Sequence, residues 1–181
     1  WSFWDRDGKK RLGKKIDYKT FKNIGLYKHL DGVFLVTGPI DGLSTVYTQA
    51  HGAVRGGRLD GPWTYWDKNG NKLSEGNYKN DKEDGLWTYW FDDGQKSMEG
   101  IFKNGKQEGQ WTYWYESGEK QEDRPFKNGT INGLRIEWFK NGQKASEAMW
   151  KNNRPVGTET NWNEDGDVIK TTTHKEDEEI E

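Results

Sequence analysis

The chain has no cysteine, and only four prolines and three histidines among its 181 residues. The missing cysteines exclude disulfides, thiolate zinc sites and a cysteine nucleophile, and leave the compartment open. Long apolar runs are missing too: the clearest, Val33 to Val36, is far short of the ~20 residues a membrane-crossing helix needs, so no transmembrane segment is read. Charge of one sign is scarce. A formal net charge of -2 with both signs interspersed gives no basic field to hold a phosphate backbone or an anionic lipid surface, so nucleic acid and other polyanions are poor partners. The chain opens at Trp1 rather than methionine, so an export signal or anchor ahead of it stays open, and with it the choice between a cytoplasmic and an exported, cell-surface protein.

A hydrophobic fraction of 30%, a charged fraction of 32% and a mean hydropathy of -1.21 are values at which many chains bury too little to offset their ordering entropy. The aromatics argue otherwise. Eleven Trp, eight Tyr and seven Phe supply large apolar area per residue, and 23 Gly at regular spacing read as turns. The expected product is a thin, aromatic-rich structure without a deep core.

Glycine recurs at Gly61, Gly85, Gly109, Gly133 and Gly157, always 24 residues on. Two more combs keep the same step: Gly70, Gly94, Gly118, Gly142 and Gly166, and Trp66, Trp90, Trp114, Trp138 and Trp162. Four full copies fill residues 61–156. Residues 1–60 read as degenerate N-terminal repeats, with Trp1, Trp4, Gly8 and Lys10 matching a first strand and turn, and with Tyr18, Phe21, Asp31-Gly32 and Asp41-Gly42 as pieces in altered spacing. Residues 157–181 read as a terminal half-repeat ending in the acidic run Glu176 to Glu181, a solvated tail.

Each copy holds two β-prone runs around strong hairpin signals. Asn69-Gly70, Asp93-Gly94, Asn141-Gly142 and Asp165-Gly166 mark the first turn, Asn104-Gly105 and Asn128-Gly129 the second. Such pairs accept the positive φ of a two-residue type I′ turn. The fold read from this is all-β: an elongated antiparallel meander of tandem hairpins in a single twisted sheet, in which four copies advance about 40 Å at ~4.8 Å per strand.

With two-residue turns the register follows. Trp63 opposes Gly76 and Tyr65 opposes Ser74, with Tyr78 on the same face; Trp87, Tyr89, Gly100 and Phe102, then Trp111, Tyr113, Arg124 and Phe126, repeat the arrangement. A ring over a cross-strand glycine covers a weak point of a sheet, and Arg124 is placed to lie over Trp111 as a cation–π partner. The other face carries Thr64, Trp66 and Glu75 and their equivalents. That tryptophan row is either a second small core between hairpins or an exposed ladder for a partner, and a one-residue slip exchanges the two faces. Charged or polar residues replace the Trp/Tyr pair at Arg135/Glu137 and Glu159/Asn161. The pair is therefore not needed to make a hairpin, unless these copies are polar because they lie near an end. The candidate binding residues are Trp63, Tyr65, Trp87, Tyr89, Trp111 and Tyr113.

The core GxWxYWxxxGxKxxEGxYKNGK, recurring without a register break from residue 61 to 166, resembles the MORN repeat, and specifically the bacterial variant often described as an antitoxin component. The resemblance implies a hairpin-repeat scaffold tied mostly to protein interaction. Choline- or glucan-binding wall repeats share the Trp-Tyr strands and Asn-Gly turns, but their unit is shorter and lacks the E-G-x-Y/F-K-N signature.

Nothing in the sequence demands an active site. His29, His51 and His174 stand in no metal-ligand spacing. Glu75, Glu99, Asp123 and Glu147 recur about 10 Å apart in this register, at the upper end of what a glycosidase pair uses, and read better as partners of lysines such as Lys72, Lys79, Lys96 and Lys103. The stretch from Gly52 to Gly57 lacks the Lys-Ser/Thr ending of a phosphate loop and reads as strand and turn. Asn128-Gly129-Thr130 has the letters of a glycosylation sequon but occupies a hairpin turn. No catalytic residue, metal ligand or cofactor is expected. The leading expectation is a non-catalytic scaffold that binds a partner protein through its aromatic surface or sheet edges, with self-association through those edges as one form. The alternative is carbohydrate or cell-surface binding by the Trp/Tyr ladder.

Overall fold

A computed structural model describes residues 2–4, 10–12, 16–17, 32–37, 49–67 and 69–175, with side chains largely from Ala50 onward. The expected pieces at Gly8, Tyr18, Phe21, Asp31 and Asp41, His29, and the acidic tail 176–181 lie outside the described residues. The architecture is all-β, an open antiparallel sheet laid down as a hairpin meander. The chain divides into two compact units, Trp1–Gly94 and Gln95–Glu181.

The first unit holds β1 (Ser2–Trp4), β2 (Lys10–Leu12), β3 (Ile16–Asp17), β4 (Gly32–Thr37), β5 (Gln49–Arg55), β6 (Arg58–Trp66), β7 (Lys72–Lys79), β8 (Lys82–Glu83) and β9 (Gly85–Trp90). The second holds β10 (Lys96–Lys103), β11 (Lys106–Trp114), β12 (Lys120–Lys127), β13 (Thr130–Ile131), β14 (Gly133–Trp138), β15 (Lys144–Lys151), β16 (Arg154–Trp162) and β17 (Val168–His174). β1 pairs with β2, and β3 runs parallel to β4. From β4 onward, neighbours within each unit are antiparallel.

The expected register holds, with Trp63 opposite Gly76, Tyr65 opposite Ser74 and Gly61 opposite Tyr78. The two turns of the repeat differ in kind. At the second, both central residues take positive φ, as at Asn104 (53°) with Gly105 (79°) and Asn128 (54°) with Gly129 (86°), which is the type I′ turn expected. The first turn departs from expectation. Only its glycine has positive φ, Gly94 at 87° and Gly142 at 82°, and its N–H donates to the carbonyl three residues back, at Phe91 and Phe139, over 2.9 Å. This is a type I turn closed by a left-handed glycine, a longer loop than the two-residue one expected, and the ladder absorbs it as a bulge between Tyr65 and Trp66, between Tyr113 and Trp114 and between Glu137 and Trp138. Because the bulge falls beyond the Trp63–Tyr65 segment, that segment keeps its face.

The comb starting at Gly61 marks a second bulge. The β10–β11 ladder shifts between Glu99 and Ile101, beside Gly109 at φ 67°, and the β15–β16 ladder shifts between Ala148 and Met149, beside Gly157 at 69°. Every glycine of both combs takes positive φ, so both are backbone requirements, with packing added at Gly61, Gly118 and Gly133. A Cβ on Gly142 would meet nothing within 4 Å, so Gly142→Ala isolates the backbone term: a loss of about 1 kcal/mol is expected in denaturant unfolding.

Candidate binding surfaces

The ladder face is built by an indole laid flat across a glycine. Trp63 is flanked in register by Gly52 on β5 and Gly76 on β7, and its ring lies on the former, 2.0 Å from where a Gly52 Cβ would stand. Trp87 covers Gly76 and Trp111 covers Gly100 in the same way, each with a ring atom 2.2 Å from the would-be Cβ. Each indole N–H donates to the carbonyl one residue past that glycine: Ala53 at 2.8 Å, Asn77 at 3.1 Å and Ile101 at 3.1 Å. With the N–H satisfied the whole ring can leave water, and exposure falls to 3%, 3% and 1%.

Tyrosines stand between the indoles, half-buried. Tyr65 stacks between Trp63 and Trp87 at 6.1 and 6.3 Å, and Tyr89 stacks on Trp87 at 6.0 Å. Tyr78 meets Trp63 and Trp87 edge-on at 6.3 and 5.1 Å, with its hydroxyl 3.1 Å from that of Tyr65. Burial, and then the neighbouring Tyr65, push the Tyr78 phenol above its ordinary pKa. In the second unit Phe102 and Phe126 take the edge-on places around Trp111, at 4.9 and 6.3 Å. Arg124 does oppose Trp111 in register, but its guanidinium lies over Tyr113 at 4.7 Å rather than over the indole. The reason is visible in the packing: Trp111 leans the other way, onto Gly100, and Glu122 draws Arg124 toward itself.

Of the six residues singled out from sequence, the structure therefore places Trp63, Trp87 and Trp111 inside the layer and Tyr65, Tyr89 and Tyr113 partly at its surface. Farther along this face the rings give way to charge. Glu122, 6% exposed, accepts from Arg124 Nε and Nη2 and from Arg135 Nε, all at 2.6 Å. Arg135 also reaches Glu137, which accepts from Ser146, and its guanidinium lies 5.3 Å over Trp150. Burial alone would raise the Glu122 carboxyl, but hydrogen bonds from Arg124 and Arg135 outweigh it and hold the pKa below the ordinary value. Beyond it Glu159 bonds His174 at 2.6 Å, and that bond, with one from Asn161, lowers the Glu159 pKa. This network was missed from sequence. Its signal was there: positions 122, 124, 135 and 137 depart from the repeat together.

The opposite face carries a repeated clasp. Lys72 bonds Glu75 at 2.9 Å and lies 4.8 Å over the Trp90 ring. Lys96 joins Glu99 and covers Trp114, Lys120 joins Asp123 and covers Trp138, and Lys144 joins Glu147 and covers Trp162. From Trp90 to Trp162 the tryptophan row is thus a seam between hairpins, these four rings each capped by an ammonium that a carboxylate fixes. Beside it Leu86, Leu134 and Met149 stand 53%, 43% and 48% exposed, and a shallow groove of about 230 Å³ runs past Pro62, Thr64, Glu75, Asn77, Leu86 and Thr88. Among the described residues no three His, Asp or Glu side chains converge as a metal site would need, and no helix is long and apolar enough to cross a membrane.

The profile of the MORN repeat variant family matches the chain four times in tandem, at residues 59–80, 83–104, 107–128 and 131–152. The chain belongs to this family. The first and third MORN matches begin in β6 and β11, which carry the ladder residue of position three, the second and fourth begin in the short strands β8 and β13 just ahead of it, and all four end at the first residue of the type I′ turn, so the family unit coincides with the structural hairpin. No curated protein matches the chain. MORN repeats make it a repeat scaffold of the binding kind.

Proposed function

We propose that the chain is a non-catalytic scaffold whose ladder face binds a partner protein, in the manner an antitoxin holds its target. The observation that carries this reading is the division of labour within the ladder. Indoles locked over glycines form a rigid floor, and tyrosines stand on it half-buried, at Tyr65 and Tyr89 in one unit and Tyr113 in the other. Large, rigid, amphipathic rings already fixed by packing lose little entropy when a partner covers them, which is why tyrosine dominates interface hot spots. Trp63, Trp87 and Trp111 contribute by holding the tyrosines.

Carbohydrate binding by a Trp ladder fits this geometry less well. A sugar stacks on an open ring face, but Trp63, Trp87 and Trp111 are buried, and Trp90, Trp114, Trp138 and Trp162 are already covered by Lys72, Lys96, Lys120 and Lys144.

The test is capture from source-cell lysate by the native chain, by Tyr65→Ala/Tyr89→Ala and by Tyr113→Ala. Each variant keeps the indole floor, so circular dichroism should change little. A single captured protein whose affinity falls about tenfold or more with either variant is the expected result. Equal capture by all three chains, or retention of polysaccharide alone, would remove the proposal.

A further inference from the structure

The two ends of the hairpins carry opposite charge, which the net value of -2 hides. In the second unit the first turns hold Glu116, Glu119, Glu164, Asp165 and Asp167 against one cation, Lys140. The second turns are flanked instead by Lys103 and Lys106, by Lys127 and Thr130, and by Lys151 and Arg154, and all five cations are exposed. They also stand in an unfavourable arrangement. Lys103 directly opposes Lys106 and Lys151 opposes Arg154, just as Arg55 opposes Arg58 and Lys79 opposes Lys82 in the first unit. Like charges placed so destabilise a hairpin, and the turn does not require them, since Thr130 fills the same place opposite Lys127. Nor are these charges spent elsewhere. Each clasp lysine holds a carboxylate, whereas among the described residues Lys103, Lys106 and Lys127 enter no ion pair. Glu108, the one carboxylate in these three turn segments, accepts from the Asn128 backbone N–H at 2.7 Å.

That bond is one of several that fix the tips in a row. The Gly129 N–H donates to the Gln107 carbonyl at 2.9 Å, the Asn153 N–H to the Ile131 carbonyl at 3.0 Å, and the Ile131 N–H to Asn153 Oδ1 at 2.7 Å. Pairing is regular from Ile101 to Glu108 and from Met149 to Val156, because the ladder shifts fall on the far side of Ile101 and Met149. Phe102 and Trp150 turn to the ladder face, so alternation sets Ile101 with Lys103 and Lys106, and Met149 with Lys151 and Arg154, on the clasp face. Ile101 and Met149 are each 48% exposed.

We infer that this row of turns binds an extended acidic segment of a partner polypeptide, whose carboxylates sit between the opposed cations and whose apolar side chains cover Ile101 and Met149. Three turns at two strands apiece span about 20 Å, the length of about six extended residues. A nucleic-acid strand, with a phosphate every ~3.4 Å, is too densely charged for cation pairs about 10 Å apart. An anionic membrane laid on this face would also meet Glu99, Asp123 and Glu147; a single chain following the turns passes them by.

The experiment is fluorescence anisotropy of a labelled peptide of mixed glutamate and leucine, titrated with the full chain, beside the same peptide with glutamine for glutamate. Binding of the glutamate peptide alone is expected. In Lys106→Thr/Lys127→Gln its affinity should fall about tenfold, while the midpoint of thermal unfolding holds or rises, because a like-charge opposition is gone. Lys140→Gln/Lys170→Gln removes as much charge away from the row and should bind as the native chain does. Equal binding of the two peptides, an equal loss in the charge-matched variant, or a lowered unfolding midpoint in Lys106→Thr/Lys127→Gln would overturn the assignment. So would binding of a DNA oligonucleotide or of phosphatidylserine vesicles in place of the peptide.

Discussion

Gly76→Ala is expected to lower stability by about 3 kcal/mol, far more than alanine costs at a turn glycine of the same chain. The new Cβ would stand 2.2 Å from Cδ2 of Trp87, and the ring has no easy retreat. Its N–H is bonded to the Asn77 carbonyl, Tyr78 presses on it edge-on at 5.1 Å, and Tyr89 stacks beside it. Relief requires breaking the bond or lifting the indole into water. Denaturant unfolding followed by tryptophan fluorescence should show the loss, and Gly142→Ala is the control, since it adds strain without a clash. A Trp87→Leu background should shrink the cost of Gly76→Ala, because a leucine can turn away from the methyl. Additive losses would mean that the glycine is needed for its backbone alone.

That clash also explains how much of the ladder could be read from the letters. Trp63 opposes glycine on both sides, Gly52 and Gly76, and pairing within the hairpin pointed to Gly76; the ring in fact lies on the glycine of the strand before. The correct rule links neighbouring copies. Position 16 is Gly76 and Gly100 ahead of Trp87 and Trp111, but Arg124 and Ala148 ahead of Arg135 and Glu159. Where the glycine goes, the next indole goes with it. The repeat, the register and the I′ turns were legible because each rests on local chemistry. The first turn was misjudged because Asn-Gly and Asp-Gly letters suit both a two-residue loop and a type I turn ended by a left-handed glycine, and only the observed φ of the preceding residue separates them. The burial of Trp63, Trp87 and Trp111 was illegible for a different reason. An aromatic on a single-layer sheet looks exposed until the direction of its ring is known.

Glu122→Ala is the change expected to cost most, about 3–5 kcal/mol, because it leaves Arg124 and Arg135 half-buried without their shared carboxylate. The loss should appear in thermal or denaturant unfolding at neutral pH. Acid should mimic it in the native chain. The folded Glu122 carboxyl is held below its ordinary pKa, so the stabilisation is complete above the unfolded value of about 4.3 and disappears as pH falls through the lower, folded one. The network is nonetheless replaceable as a whole. Position 14, position 16 and the next ladder pair read Met98, Gly100, Trp111 and Tyr113 one copy earlier, so the fourfold change Glu122→Met, Arg124→Gly, Arg135→Trp and Glu137→Tyr rebuilds an aromatic rung. Exchanging a buried ion network for well-packed apolar groups is often neutral or stabilising by about 1–4 kcal/mol. The rebuilt chain should match or exceed the native one at neutral pH and hold that advantage more strongly in acid, where the native carboxylate is lost. If it instead unfolds at neutral pH, the charges set the register of this part of the sheet, a task that rings stacking on rings do not perform.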